Sequence, residues 1–254
     1  MTERKTICAI VSACASLAPM LGHPQNTAVA ASVLEVGDNW VFERTIDRGP
    51  DHVAHRRVDL RISRIDENAM LVRAKSRGTL TTDQDYRVGL DWTQTRVLDG
   101  QPTVTGRPFK FPMAPGDSWT VEFRQAELHD GQTNTHWNVL YQVVGWTDVT
   151  TPAGSFHALE IKETGSTEAE RTISQTVSAT TSATHRRPTA RDQAKHALRQ
   201  LIKNTVYGEF YYVPSIKYYV KYVQEQYDTD NVRTGRDEDV LVSFKPGAAS
   251  APHE

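Results

Sequence analysis

Strict alternation of apolar and polar residues recurs along most of the chain and limits its fold more than any other feature. Val58, Leu60 and Ile62 alternate with Asp59, Arg61 and Ser63, and Met70, Val72 and Ala74 with Leu71, Arg73 and Lys75. The same pattern runs through Tyr86 to Trp92, Trp119 to Phe123, Trp137 to Val143, Phe156 to Lys162, Tyr218 to Tyr222 and Val240 to Phe244. In extended backbone successive side chains leave on opposite faces, so each run presents one row to a core and one to water. Gly, Asp, Asn and Pro gather between the runs, as an antiparallel meander requires. The expected fold is mainly β, a single curved antiparallel sheet or half-open β-barrel.

One stretch departs from this period. Residues 164–206 read as an insert, first a Ser/Thr-rich polar loop from Gly165 to Thr184 and then a helix from Pro188 to Asn204. Ala190, Ala194, Ala197, Leu198, Leu201 and Ile202 fall on one stripe at 3.6-residue spacing, and Pro188 suits a first helical turn. One inserted amphipathic helix is therefore expected, able to cover the sheet or dock a partner.

The N-terminus reads as an export signal over residues 1–30. Arg4 and Lys5 precede an apolar run from Thr6 to Leu21, and Ala28-Val29-Ala30 offers the small residues a signal peptidase accepts. The run is interrupted by Pro19 and is short for a membrane span, so no transmembrane span is expected. The expected location is periplasmic. Val11-Ser12-Ala13-Cys14 resembles a bacterial lipobox, which leaves lipidation of Cys14 and anchorage to a membrane as the alternative. Both cysteines, Cys8 and Cys14, lie in this segment, so disulfides and thiolate chemistry are not expected in the exported body. That body is read as one β domain over 31–247, followed by a flexible tail at 248–254. Hydrophobic residues are 38% of the 254, enough for a core, and a formal net charge of −2 gives no broad footprint for nucleic acid.

Two short segments echo each other. Gly37-Asp38-Asn39-Trp40 and Gly116-Asp117-Ser118-Trp119 each place a Gly-Asp turn before a strand that opens on tryptophan. Recurring turn chemistry accounts for this without a domain duplication. Further on, Val149-Thr150-Thr151-Pro152-Ala153-Gly154-Ser155-Phe156 resembles the V-x-x-P-A-G-x-F motif of a family of uncharacterised bacterial envelope proteins. In that family a Gly-x-x-Trp segment precedes the motif and an aromatic-Tyr-x-Pro segment follows; the two Gly-Asp-x-Trp segments and Tyr211-Tyr212-Val213-Pro214 stand in those places. The resemblance spans roughly Val36 to Phe244. It implies a fold similar to the half-open barrels of lipoprotein-localisation factors, which hold acyl chains in a concave face, and it implies no particular chemistry. The motif itself reads as a tight turn, with Pro152 fixing φ and Gly154 free to take a left-handed conformation.

Chemical constellations are sparse. Asp51, His52 and His55 lie close enough in sequence to share a metal, but Arg56 and Arg57 follow at once and would repel it. Asp228, Asp230 and Asn231 have the carboxylate spacing of a calcium loop, but Val232 and Arg233 occupy places that need an oxygen ligand and glycine. There is no Gly-x-Ser-x-Gly elbow and no Ser-x-x-Lys pair. No metal, no cofactor and no catalytic residue is therefore assigned, and a non-enzyme is expected, with an enzyme on an unfamiliar β scaffold as the remote alternative. Tyr207, Tyr211, Tyr212, Tyr218, Tyr219 and Tyr222 crowd one region, where they serve either cross-strand pairing or a ligand groove.

The leading expectation is an exported envelope protein that holds an apolar or amphipathic ligand, a lipid or glycan, in the concave face of its sheet. Trp40, Trp119, Trp137, Tyr141, Tyr212 and Tyr222 are the expected lining residues. The alternative is a structural component of an envelope complex that docks a protein partner through the Pro188–Asn204 helix.

Overall fold

The computed structural model describes residues 28–77, 82–127, 132–176 and 195–247. Its strands are β1 (Asn39–Asp47), β2 (Val53–Ile65), β3 (Ala69–Arg77), β4 (Thr82–Gly89), β5 (Gln94–Leu98) and β6 (Gln101–Gly106), then β7 (Ser118–Glu127), β8 (Gln132–Thr151), β9 (Gly154–Thr176), β10 (Lys195–Val213), β11 (Tyr218–Tyr227) and β12 (Arg233–Lys245). All lie in one antiparallel sheet of order β6-β5-β4-β3-β2-β1-β12-β11-β10-β9-β8-β7. Each strand pairs with its neighbours in sequence except that β6 and β7 do not pair with each other, and β1 also pairs with β12, so the first and last strands lie in the middle of the order. The sheet is nearly closed into a barrel, open only between β6 and β7.

Alternation decides what faces inward. On β2 and β3, Val58, Ile62, Val72 and Ala74 are buried, whereas Arg57, Arg61, Arg73 and Lys75 are exposed. An outer surface studded with charge is the reverse of a membrane-spanning barrel, which turns apolar residues outward. Among the described residues no helix is long and apolar enough to cross a membrane.

One end of the interior is filled by the protein's own aromatics. Trp40, Phe42, Phe109, Met113 and Tyr212 are all essentially inaccessible. The segment between β6 and β7 supplies Phe109, whose ring lies 4.9 Å from Tyr212 and 6.0 Å from Phe210. Trp92 stacks on Tyr218 at 3.7 Å, and Trp40 stacks on Phe244 at 5.4 Å. The tyrosine cluster thus belongs mostly to the packed core.

The Gly-Asp echo is a repeated turn. Glu35 N donates to Asp38 Oδ2 at 2.8 Å, Gly37 N to Ile62 O at 2.8 Å, and Ile62 N to Asp38 O at 3.0 Å. At the second site Ala114 N donates to Asp117 Oδ2 at 2.7 Å, Gly116 N to Val143 O at 2.8 Å, and Val143 N to Asp117 O at 2.8 Å. Gly37 and Gly116 share a positive φ, 96° and 95°, which favours glycine there. The Pro152-Ala153 turn joins β8 to β9 with Gly154 at φ 133°. Its Ala153 N donates to Leu241 O of β12 at 3.2 Å, three strands away in the sheet order.

The expected helix is corrected over Lys195–Asn204, which belongs to β10 and pairs residue by residue with β9, from Lys195↔Thr176 to Tyr212↔Leu159. Gly165–Thr176 of the expected polar loop is likewise strand. Residues 177–194, with Pro188, Ala190 and the basic His185-Arg186-Arg187, lie outside the described residues, as do the export signal up to Thr27, Cys14 and the tail 248–254. The physical reason lies in the partners. Among the described residues Lys195–Asn204 pairs with β9 alone, because β11 meets β10 only from Thr205 onward. With no second ladder to define its two faces, Lys195–Asn204 carries no strict apolar alternation in its sequence. Leu201, on the stripe assigned to a helix, is 64% exposed. Leu201→Asp is accordingly expected to change stability by less than about 1 kcal/mol, set by β-propensity alone. Urea denaturation with far-UV circular dichroism checks this; a loss of several times that size would mean that Leu201 covers a buried surface.

Candidate polar cavity at one end of the barrel

The inward row of β9 runs Leu159, Ile161, Glu163, Gly165, Thr167 and Ala169, all buried. Register places Glu163 between Tyr141 of β8 and Gly208 of β10, with Gln224 of β11 opposite Gly208 in turn. Here the apolar row gives way to polar groups. A cavity of about 200 Å³ opens at this point, lined by Trp137, Val139, Glu163, Gly165, Thr167, Asn204, Val206, Gln224 and Gln226 among others.

Glu163 is the group that sets its chemistry. The residue is only 6% exposed, and its carboxylate receives two long hydrogen bonds, from Tyr222 OH and Gln224 Nε2, each at 3.5 Å. Among the described residues no cation lies within ion-pair distance of it. Burial therefore dominates and pushes the carboxyl from its ordinary 4.5 up to about 7, partly offset by those two donors. Gly208 makes the room: a Cβ there would come within 2.7 Å of Glu163 Oε2. Burial, with the Glu163 charge adding to it, also raises Tyr141 and Tyr222, so both phenols stay neutral.

A second cavity of about 160 Å³ is lined by Arg44, Ile46, Tyr222, Asp237 and Asp239, and its Tyr222 is the one that reaches Glu163. That neighbour is internally paired. Arg44 donates to both oxygens of Asp239 at 2.6 Å, and Tyr219 OH donates to Asp239 Oδ2 at 2.9 Å. The bidentate pair satisfies a carboxylate that is 2% exposed. Among the described residues Glu163 has no such counter-charge.

The six expected lining residues divide between cavity and core. Trp137 lines the first cavity, stacked on Phe123 at 5.6 Å, and its buried Nε1 has no hydrogen-bond partner. Tyr222 lines the second cavity and reaches Glu163 of the first, and Tyr141 neighbours Glu163 by register. Trp40, Trp119 and Tyr212 sit in the packed core with satisfied polar atoms. Trp40 Nε1 donates to Ile216 O and Trp119 Nε1 to Arg107 O, both at 2.7 Å, and the Tyr212 hydroxyl meets Ser32 Oγ at 2.8 Å. Glu163, Gln224, Thr167 and Asn204 escaped the sequence reading. The signal available was a carboxylate at an inward place of an alternating run, between Ile161 and Gly165.

Residues of both sequence motifs make local contacts. His55 Nδ1 meets Thr45 Oγ1 at 3.2 Å, and Asp228 Oδ1 accepts from the backbone of Asp230 and Val232, closing a turn. Among the described residues no group of three or more His, Cys, Asp or Glu is gathered in a way that would hold a metal.

No protein-family profile matches the chain. No curated protein matches it either. Solved structures do. A candidate lipoprotein from Parabacteroides distasonis aligns over 86% of this chain and 100% of its own, at 15% identity and a TM-score of 0.41. A candidate exported protein with a YmcC-like fold from Bacteroides fragilis covers the same shares at 15% identity and a TM-score of 0.37. The hypothetical lipoprotein YmcC from Escherichia coli aligns over 83% of this chain and 85% of its own, at 8% identity and a TM-score of 0.35. These are likenesses of fold.

Proposed function

We propose that this chain is an exported, non-enzymatic binding protein of the bacterial cell envelope that takes the polar part of a compact amphipathic ligand at the Glu163 end of its barrel. One observation carries the reading: a cavity of about 200 Å³ lined by a buried carboxylate that has no cation partner among the described residues, beside apolar wall residues. A sheet that served only as scaffold would gain by filling this place with apolar side chains, as it does at the opposite end. The filled aromatic end also bears on the ligand. Trp40, Phe109 and Tyr212 occupy the volume that a long acyl chain would need, so the ligand is small or leaves its apolar part outside. The signal-like N-terminus and the V-x-x-P-A-G-x-F resemblance support the periplasmic location, with lipid anchorage through Cys14 as the alternative.

Native mass spectrometry of the protein from the envelope fraction of its host tests both parts. The expected polypeptide begins after Ala30, or at a lipidated Cys14, and carries a small adduct that leaves on harsher activation. An intact N-terminus would overturn the export reading. A bare protein at its calculated mass would overturn the carrier reading and favour a structural role in an envelope complex.

A further inference from the structure

The cavity's donors and acceptors specify its occupant more closely than the carrier reading, on which this step rests. Glu163 brings an acceptor with no counter-charge, and the groups that face it from the adjoining strands are all uncharged: Tyr141 from β8, Gly208 from β10, Tyr222 and Gln224 from β11. Beyond Tyr222 the nearby charges are already matched, Arg44 with Asp239 and Arg48 with Asp237. The carboxylate is thus the one uncompensated charge that the described residues place in this cavity. Of the aromatic side chains nearby, Trp137 lines the cavity, stacked on Phe123, and Tyr222 reaches the carboxylate through its hydroxyl.

We propose that the Glu163 cavity binds an alkylammonium group, with the cation against the carboxylate. A cation would supply the counter-charge that Glu163 lacks. An anion would meet the carboxylate and is rejected. A neutral ligand would leave the charge uncompensated. Because only ionised Glu163 attracts the cation, affinity rises with pH through the carboxyl's titration near 7.

Choline is a suitable probe, having a quaternary ammonium and a hydroxyl, and its neutral analogue with carbon in place of nitrogen is the control. Isothermal titration calorimetry on the purified protein is expected to show choline binding at about pH 8 and roughly thirtyfold weaker binding at about pH 5.5, following the ionised fraction. Glu163→Gln is expected to abolish the charge selectivity while the protein stays folded by circular dichroism. Equal binding of choline and the neutral analogue, or choline binding unchanged in the variant, overturns the ammonium assignment and leaves a cavity that binds small molecules. Binding of neither probe at either pH overturns the assignment; the adduct measurement above then judges the carrier reading separately.

Discussion

Asp38→Ala is expected to cost on the order of 4 kcal/mol, whereas the matching Asp117→Ala costs about 1 kcal/mol. Both aspartates close the same Gly-Asp turn and each accepts the backbone N–H three residues upstream, at 2.8 and 2.7 Å. Asp117 is exposed and does little else. Asp38 is completely buried and additionally accepts from Lys217 Nζ at 3.0 Å and from Gly247 N at 2.7 Å. It therefore ties together the entry to β1, the turn between β10 and β11, and the chain after β12. Alanine would leave two amides without an acceptor and would leave Lys217, whose side chain is 16% exposed, with Glu35 alone. A fall in melting temperature of roughly 10 °C for Asp38→Ala and of only a few degrees for Asp117→Ala would follow for a chain of this size. Differential scanning calorimetry measures both. Equal losses would show that the turn, and not the three-way junction, is what Asp38 supports.

That contrast also shows where sequence reading stops. The two Gly-Asp turns are visible as residues because a left-handed glycine and an aspartate acceptor are local requirements. What distinguishes them is burial by β12 and by the Lys217 turn, both far along the chain. The meander was legible for a related reason: a strand with one buried face and one wet face records its state in every second residue. β10 shows the converse. From Lys195 to Asn204 it pairs, among the described residues, with β9 alone, and its sequence there carries no strict apolar alternation and fits a helical stripe. Glu163 was legible in place but not in meaning. Its position in the inward row follows from Ile161 and Gly165, yet what makes it unusual is contributed by β8, β10 and β11, above all by the absence of a side chain at Gly208.

Glu163→Gln is expected to stabilise the protein at about pH 8 by roughly 3 kcal/mol and to leave it unchanged at about pH 4. Burial raises the folded-state carboxyl to about 7 against an ordinary 4.5. Below the lower value both folded and unfolded chains hold the proton, so no difference arises. Between the two values the unfolded chain releases its proton while the folded chain keeps it, and wild-type stability declines as pH rises. Above the upper value both have ionised and the penalty is constant. Glutamine keeps the shape and the donors' acceptor without a titrating proton, so the variant lacks this decline, while every other carboxylate is common to both proteins and cancels in the difference. Urea midpoints across this range give the difference curve directly. Parallel curves would mean that Glu163 is hydrated well enough to ionise freely, and the cavity would lose its claim to an unmet charge. A difference that opens between the two values and then narrows when choline is added would join stability to binding. The destabilised carboxylate would then be retained because a cation restores it.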